Sequence, residues 1–117
     1  MFLPAAVRVY VAVGAVDMRK QIDGLSILVS RRFNLDPFSG QLFVFGNRRR
    51  NMVKILYWDR NGFCLWQKRL ERQRFRWPAE DAAVVSIDTR QLGWLLDGLT
   101  LTLEAHAHRR VEYSAVY

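Results

Sequence analysis

Cysteine is nearly absent: Cys64 is the single one in the chain. One thiol excludes an internal disulfide and any cysteine-built zinc site, and it suits a reducing compartment. The expected location is therefore cytoplasmic. Both histidines, His106 and His108, stand near the C-terminus, so none is placed to activate Ser26, Ser30, Ser39 or Ser86. No apolar stretch approaches the roughly 18 residues of a membrane span. The opening MFLPAAVRVYVAVGAV lacks the basic leader of a signal peptide, and its alternation over residues 7 to 13 reads as a strand. No glycine pattern cradles a nucleotide, and no internal repeat or low-complexity tract is present. Lysine is also scarce, at three residues against fifteen arginines.

The arginines are the informative presence. The net charge is +7, yet residues 48 to 76 alone carry +8 and the rest of the chain −1. That quarter of the sequence holds Arg48, Arg49, Arg50, Lys54, Arg60, Lys68, Arg69, Arg72, Arg74 and Arg76, with only Asp59 and Glu71 opposing them. Charge spread for solubility is not concentrated in this way. A local field of guanidinium forks is the expected footprint of a site for polyanions, because the fork matches phosphate geometry.

Length, ordinary composition and element pattern predict a single compact α+β domain over residues 1–103, with residues 104–117 as a C-terminal tail. A strand over 7–13 precedes a helix from Met18 to Phe33, capped by Asp17 and striped by Ile22, Leu25, Leu28, Val29 and Phe33. Three strands follow (Leu42–Phe45, Met52–Trp58 and Phe63–Leu70), then a short one within AEDAAVVSI. A second helix begins at Asp88 or Thr89 and stops at Gly98. The expected architecture is an antiparallel β-meander packed with two helices.

Asn61-Gly62 marks a hairpin tip. A two-residue loop at that pair would oppose Lys54 to Arg69 and put Lys54, Trp58, Arg60 and Gln67 on one face. The other face, with Val53, Ile55, Tyr57, Cys64, Trp66 and Leu70, would be the core. A type I turn with Gly62 in a bulge is the alternative and shifts the register. Like charges opposed on a sheet repel unless an anion lies between them.

Three blocks carry a resemblance: VDMRKQIDGLSILV, then LFVFGNRRRNMVKILYWDRNGFCLWQKRLERQRFRWP, then QLGWLLDGL. They resemble, in order, the TnpB accessory family of bacterial insertion sequences of family sixty-six, the product of the element's second open reading frame. The resemblance implies a role in transposition beside a separate, larger transposase. It brings no catalytic residues.

An enzyme is not expected on other grounds. Two-metal chemistry needs clustered carboxylates, whereas Asp17, Asp36, Asp59 and Glu71 each have a local duty and Asp23 stands alone. Glu104, His106 and His108, at two-residue spacing, are the nearest approach to a zinc set. The reading is a non-catalytic accessory protein, without cofactor or metal, that binds DNA phosphates through the ten basic residues above. Trp58 or Trp77 would be the candidates for stacking a splayed base. The alternatives are docking on the transposase without DNA contact, and RNA binding.

Overall fold

The computed structural model describes residues 7–99. Its centre is a strand, β2 (Leu42–Gly46), in which all five residues are buried. Successive side chains of a strand point to opposite faces, so a strand buried throughout must be covered on both. The sheet around it supplies the neighbours: β1 (Val9–Ala12), β3 (Met52–Asp59), β4 (Gly62–Arg69) and β5 (Val84–Ile87), in the order β4-β3-β2-β1-β5. β1 pairs parallel with β2, and every other pairing is antiparallel. The expected α+β fold, with β2-β3-β4 as its meander, is what forms.

Helix α1 (Ile22–Ile27) and a π-helical continuation over Leu28–Arg32 cover one face. Leu25, Val29 and Phe33 meet Ala12, Phe43, Phe45, Leu56 and Val84 there. Helix α2 (Thr89–Leu96) covers the other. Its Leu92 and Leu95, with Phe75, pack on Val9, Val11, Val44, Val53, Ile55 and Val85. Asp88 accepts from the Gln91 N–H at 2.8 Å while the Gln91 side chain accepts from the Asp88 N–H at 2.9 Å, a complete capping box. At its end Gly98 takes φ 78°, and Gly98 and Leu99 donate to the carbonyls of Leu95 and Trp94. This is a Schellman cap, which a glycine in the left-handed region permits.

Three expectations need correction. The first helix starts at Ile22 rather than Met18, with Gln21 at its N-cap position and no side-chain cap. Asp17 closes a separate turn instead: Lys20 N–H donates to its carbonyl, and Arg19 takes its carboxylate. The helix also ends differently, through i→i+5 bonding of Phe33 to Leu28, with Asn34 at φ 56°.

The hairpin register differs too. Asp59 pairs with Gly62, so Arg60 and Asn61 form the tip, and Arg60 sits at φ 56° under a γ-turn bond from Asn61 N–H to the Asp59 carbonyl. The shift is two residues, which preserves the faces but moves the partners. Lys54 opposes Gln67, and Arg69 opposes Met52. The third correction follows from the layers. Neither face of the hairpin is a bare basic surface, because helices or loops lie over both. The expected tail over 104–117, with Glu104, His106 and His108, lies outside the described residues. Among the described residues no cluster of ligating side chains fits a metal, and no helix is long and apolar enough to cross a membrane.

Candidate nucleic-acid interface

The ten basic residues separate into three groups. Lys54, on β3, is 1% exposed beneath the Asp17–Lys20 turn. Its ammonium donates to the carbonyls of Met18 at 2.8 Å and Lys20 at 2.9 Å. A buried cation needs such partners, and here they fasten the entry to α1 onto the sheet. Lys68, half-buried on the opposite face, donates to the Leu96 carbonyl at 2.9 Å. A cation at the last turn of α2 meets the negative end of the helix dipole. Lys54 serves the fold, so the expectation that it faces a polyanion does not survive its burial; Lys68 is only half-buried, with its ammonium engaged by the Leu96 carbonyl.

Arg50 also points inward. Asn47 organises its loop: its side-chain oxygen accepts from the N–H groups of Asn51 and Met52, each at 3.1 Å. Arg50 takes φ 59° there, and its guanidinium donates to the Val13 carbonyl at 2.9 Å. The same group lies 5.0 Å from the centroid of the Trp77 ring, a cation–π distance. Partial burial disfavours its charged form, but a guanidinium keeps its proton in proteins. Arg48-Arg49-Arg50 is therefore not one unit. Two side chains face solvent and the third ties the loop to β1 and Trp77.

The remaining arginines are exposed. Arg69 is paired with Glu71 at 3.0 Å. Arg60, at the hairpin tip, lies at the far end of β3, about 25 Å from the 47–51 loop at roughly 3.3 Å per residue. Arg48, Arg49, Arg72, Arg74 and Arg76 gather at the near end. Two backbone bonds hold their segments side by side: Leu70 N–H to the Asn51 carbonyl at 2.8 Å, and Phe75 N–H to the Arg50 carbonyl at 2.6 Å. Phe75 is buried, so Arg74 and Arg76, which flank it in an extended segment, turn outward. None of the five has an acidic partner among the described residues.

A groove of about 430 Å³ runs from Arg48 and Arg49 to the 15–18 loop, which leads from β1 toward α1. Val16 N–H donates to the Gly46 carbonyl at 2.8 Å and holds that loop against β2. On the loop's other side lie Lys20 and Arg32, which fall outside the 48 to 76 segment that the charge count singles out. The tryptophans are engaged elsewhere. Trp58 packs edge-on against Phe38 and Phe63, and the Trp77 indole donates to the Ala12 carbonyl at 2.8 Å.

A family model described as IS66 Orf2 like protein matches residues 7–106. The chain belongs to that family. It is thus an accessory protein of IS66 transposition, in a family that is not a known catalytic one. Two relatives from Sinorhizobium fredii (strain NBRC 101917 / NGR234) share this length. The uncharacterized protein y4hO is 40% identical over 93 residues, covering 80% of this chain and 81% of its own. The uncharacterized protein y4jC is 33% identical over 95 residues, covering 81% of each. No solved structure matches this chain.

Proposed function

We propose that the IS66 accessory protein binds DNA through the phosphate backbone, using Arg48, Arg49, Arg72, Arg74 and Arg76. One observation carries this reading. Five exposed arginines from two distant segments are brought to one end of the sheet by backbone hydrogen bonds, and none of them is ion-paired to an acid among the described residues. Such a cluster repels itself in the free protein, and phosphates relieve the repulsion. Arg50 belongs to the site only as the strut that holds the Arg48–Arg49 loop.

Binding of a labelled duplex at several salt concentrations tests it. Each neutralised phosphate contributes about −0.9 to the slope of log affinity against log salt. Replacing Arg48 and Arg49 with serine should flatten the slope by about 2 units and weaken all duplex sequences alike; replacing all five should flatten it by about 4–5 units. A parent protein with no salt-dependent DNA binding overturns the proposal. Tighter binding to matched RNA would move it to another polymer.

A second reading rests on a different surface. Ile27 and Phe38 are 52% and 57% exposed and line one groove with Leu35 and Pro37. Large exposed apolar side chains grouped in this way mark contact sites, and the transposase of the element is the partner the family implies. Loss of transposase capture in Phe38→Ser, with DNA binding intact, would support docking there.

A further inference from the structure

The 14–18 loop separates the Arg48–Arg49 groove from a second cavity of about 220 Å³. Ala15, Val16 and Asp17 line both. The second cavity has an apolar wall of Val16, Leu28 and Phe33, and two cations, Lys20 and Arg32. Neither cation has an ion-pair partner among the described residues. Asp17, the one acid in the lining, is already engaged. Both its oxygens accept from Arg19, at 2.7 to 3.1 Å, so its charge is largely met.

This combination suits a particular ligand. A free phosphate has no use for an apolar wall, and an apolar ligand has no use for two unpaired cations. A nucleotide has both a flat apolar face and a phosphate. The volume falls below the roughly 300 Å³ at which drug-sized pockets begin, which leaves room for one base rather than two. The walls are also held in place. Val16 is tied to Gly46, Met18 to the buried Lys54, and Val13 to Arg50. An added Cβ at Gly14 would meet nothing within 4 Å, so the rim is open at that point.

We infer that this cavity takes a single unpaired nucleotide of DNA, its base against Val16, Leu28 and Phe33 and its phosphate on Lys20 and Arg32. The inference rests on the DNA-binding reading above and deepens it. The strand that crosses the 14–18 loop has phosphates on Arg48 and Arg49 on one side and its unpaired residue on the other. The protein would then favour DNA with an exposed single-stranded end over a blunt duplex.

Fluorescence anisotropy with the full chain tests this on three probes: a blunt duplex, the same duplex with a short single-stranded overhang, and that overhang made abasic. Stacking one base should favour the overhang by about tenfold over the blunt duplex, and the abasic overhang should lose that advantage. Leu28→Trp fills the cavity without touching the Arg48–Arg49 groove, and Arg32→Ser removes an exposed cation. Each should abolish the overhang preference and leave blunt-duplex affinity unchanged. The comparison of normal with abasic overhang uses the unaltered protein, so it stands even if Leu28→Trp fails to fold. Equal affinity for all three probes, or a preference that survives Arg32→Ser, overturns the inference while the phosphate reading stands. Absence of binding to every probe overturns both.

Discussion

Gly46 ends the central strand, and a methyl group there has no room. A Cβ built at Gly46 would lie 2.7, 2.8 and 2.9 Å from three ring carbons of Trp77. Carbon atoms pack at about 3.5–4.0 Å, so Gly46→Ala must drive the indole back by about 1 Å. That ring is held on its far side. Its N–H donates to the Ala12 carbonyl at 2.8 Å, and a shift of this size disturbs the geometry of that bond. The Arg50 guanidinium rests on the same ring, and Phe75 meets it edge-on with centroids 6.5 Å apart. Overpacking costs about 1–3 kcal/mol, and a distorted hydrogen bond up to about 1.5 kcal/mol more. Together they amount to about 1–4.5 kcal/mol.

Urea titration followed by tryptophan fluorescence and far-UV circular dichroism would measure the loss. With a slope of about 1–3 kcal/mol per molar, the midpoint should fall by about 1–2 M at unchanged slope. Gly62→Ala is the control, because a Cβ there meets nothing within 4 Å; its midpoint should change by less than about 0.5 kcal/mol in free-energy terms. The displaced 70–77 segment carries Arg72, Arg74 and Arg76, so on the proposed phosphate reading Gly46→Ala should also weaken DNA binding. If the unfolding curves of Gly46→Ala and the parent overlay, Trp77 is not the clamp described above.

Lys54→Met keeps the volume but leaves the Met18 and Lys20 carbonyls without their donor, and should cost about 1–3 kcal/mol in thermal or chemical unfolding. Its DNA salt slope should equal the parent's; a slope flatter by one unit would make Lys54 a phosphate contact after all. Gly93→Ala, on the solvent side of α2 with open space at its Cβ, should stabilise the protein by about 0.5–1 kcal/mol, and a lower melting temperature would mean that the helix packs differently. Asp17 should titrate at about 2, held down chiefly by the Arg19 hydrogen bonds, then by its charge and that of Lys20. Because the folded value lies below the unfolded one, any stability it provides is present above about pH 4 and is lost as pH falls toward 2. Carboxyl NMR shifts with an ordinary midpoint would show that the Asp17–Arg19 pair is not formed in solution.

Element identity followed from local pattern. Alternation, β-branched and aromatic residues and an Asn-Gly signal placed four of the five strands and the hairpin between β3 and β4, and a short strand near Val84 was also indicated. Asp88 or Thr89 and Gly98 announced both ends of α2, because caps are local chemistry between residues adjacent in the chain. The concentration of arginine was equally visible, since charge can be counted without a fold. The start of α1 was misread for a local reason as well. Asp17 has the right side chain for a cap, but Arg19, two residues on, competes for the same carboxylate.

What a linear pattern does not contain is which side chains turn inward once the layers close. Lys54 and Lys68 read as charges on a hairpin, and became internal donors because the Met18–Lys20 turn and the end of α2 came to lie over them. Arg50 parted from Arg48 and Arg49 because Val13 and Trp77, distant in the chain, met its loop. The grouping of Arg48 and Arg49 with Arg72, Arg74 and Arg76, and of Lys20 with Arg32, depends on contacts between segments far apart in the chain. Chain composition determines how much charge the protein carries; long-range packing determines which of those charges stay exposed to solvent.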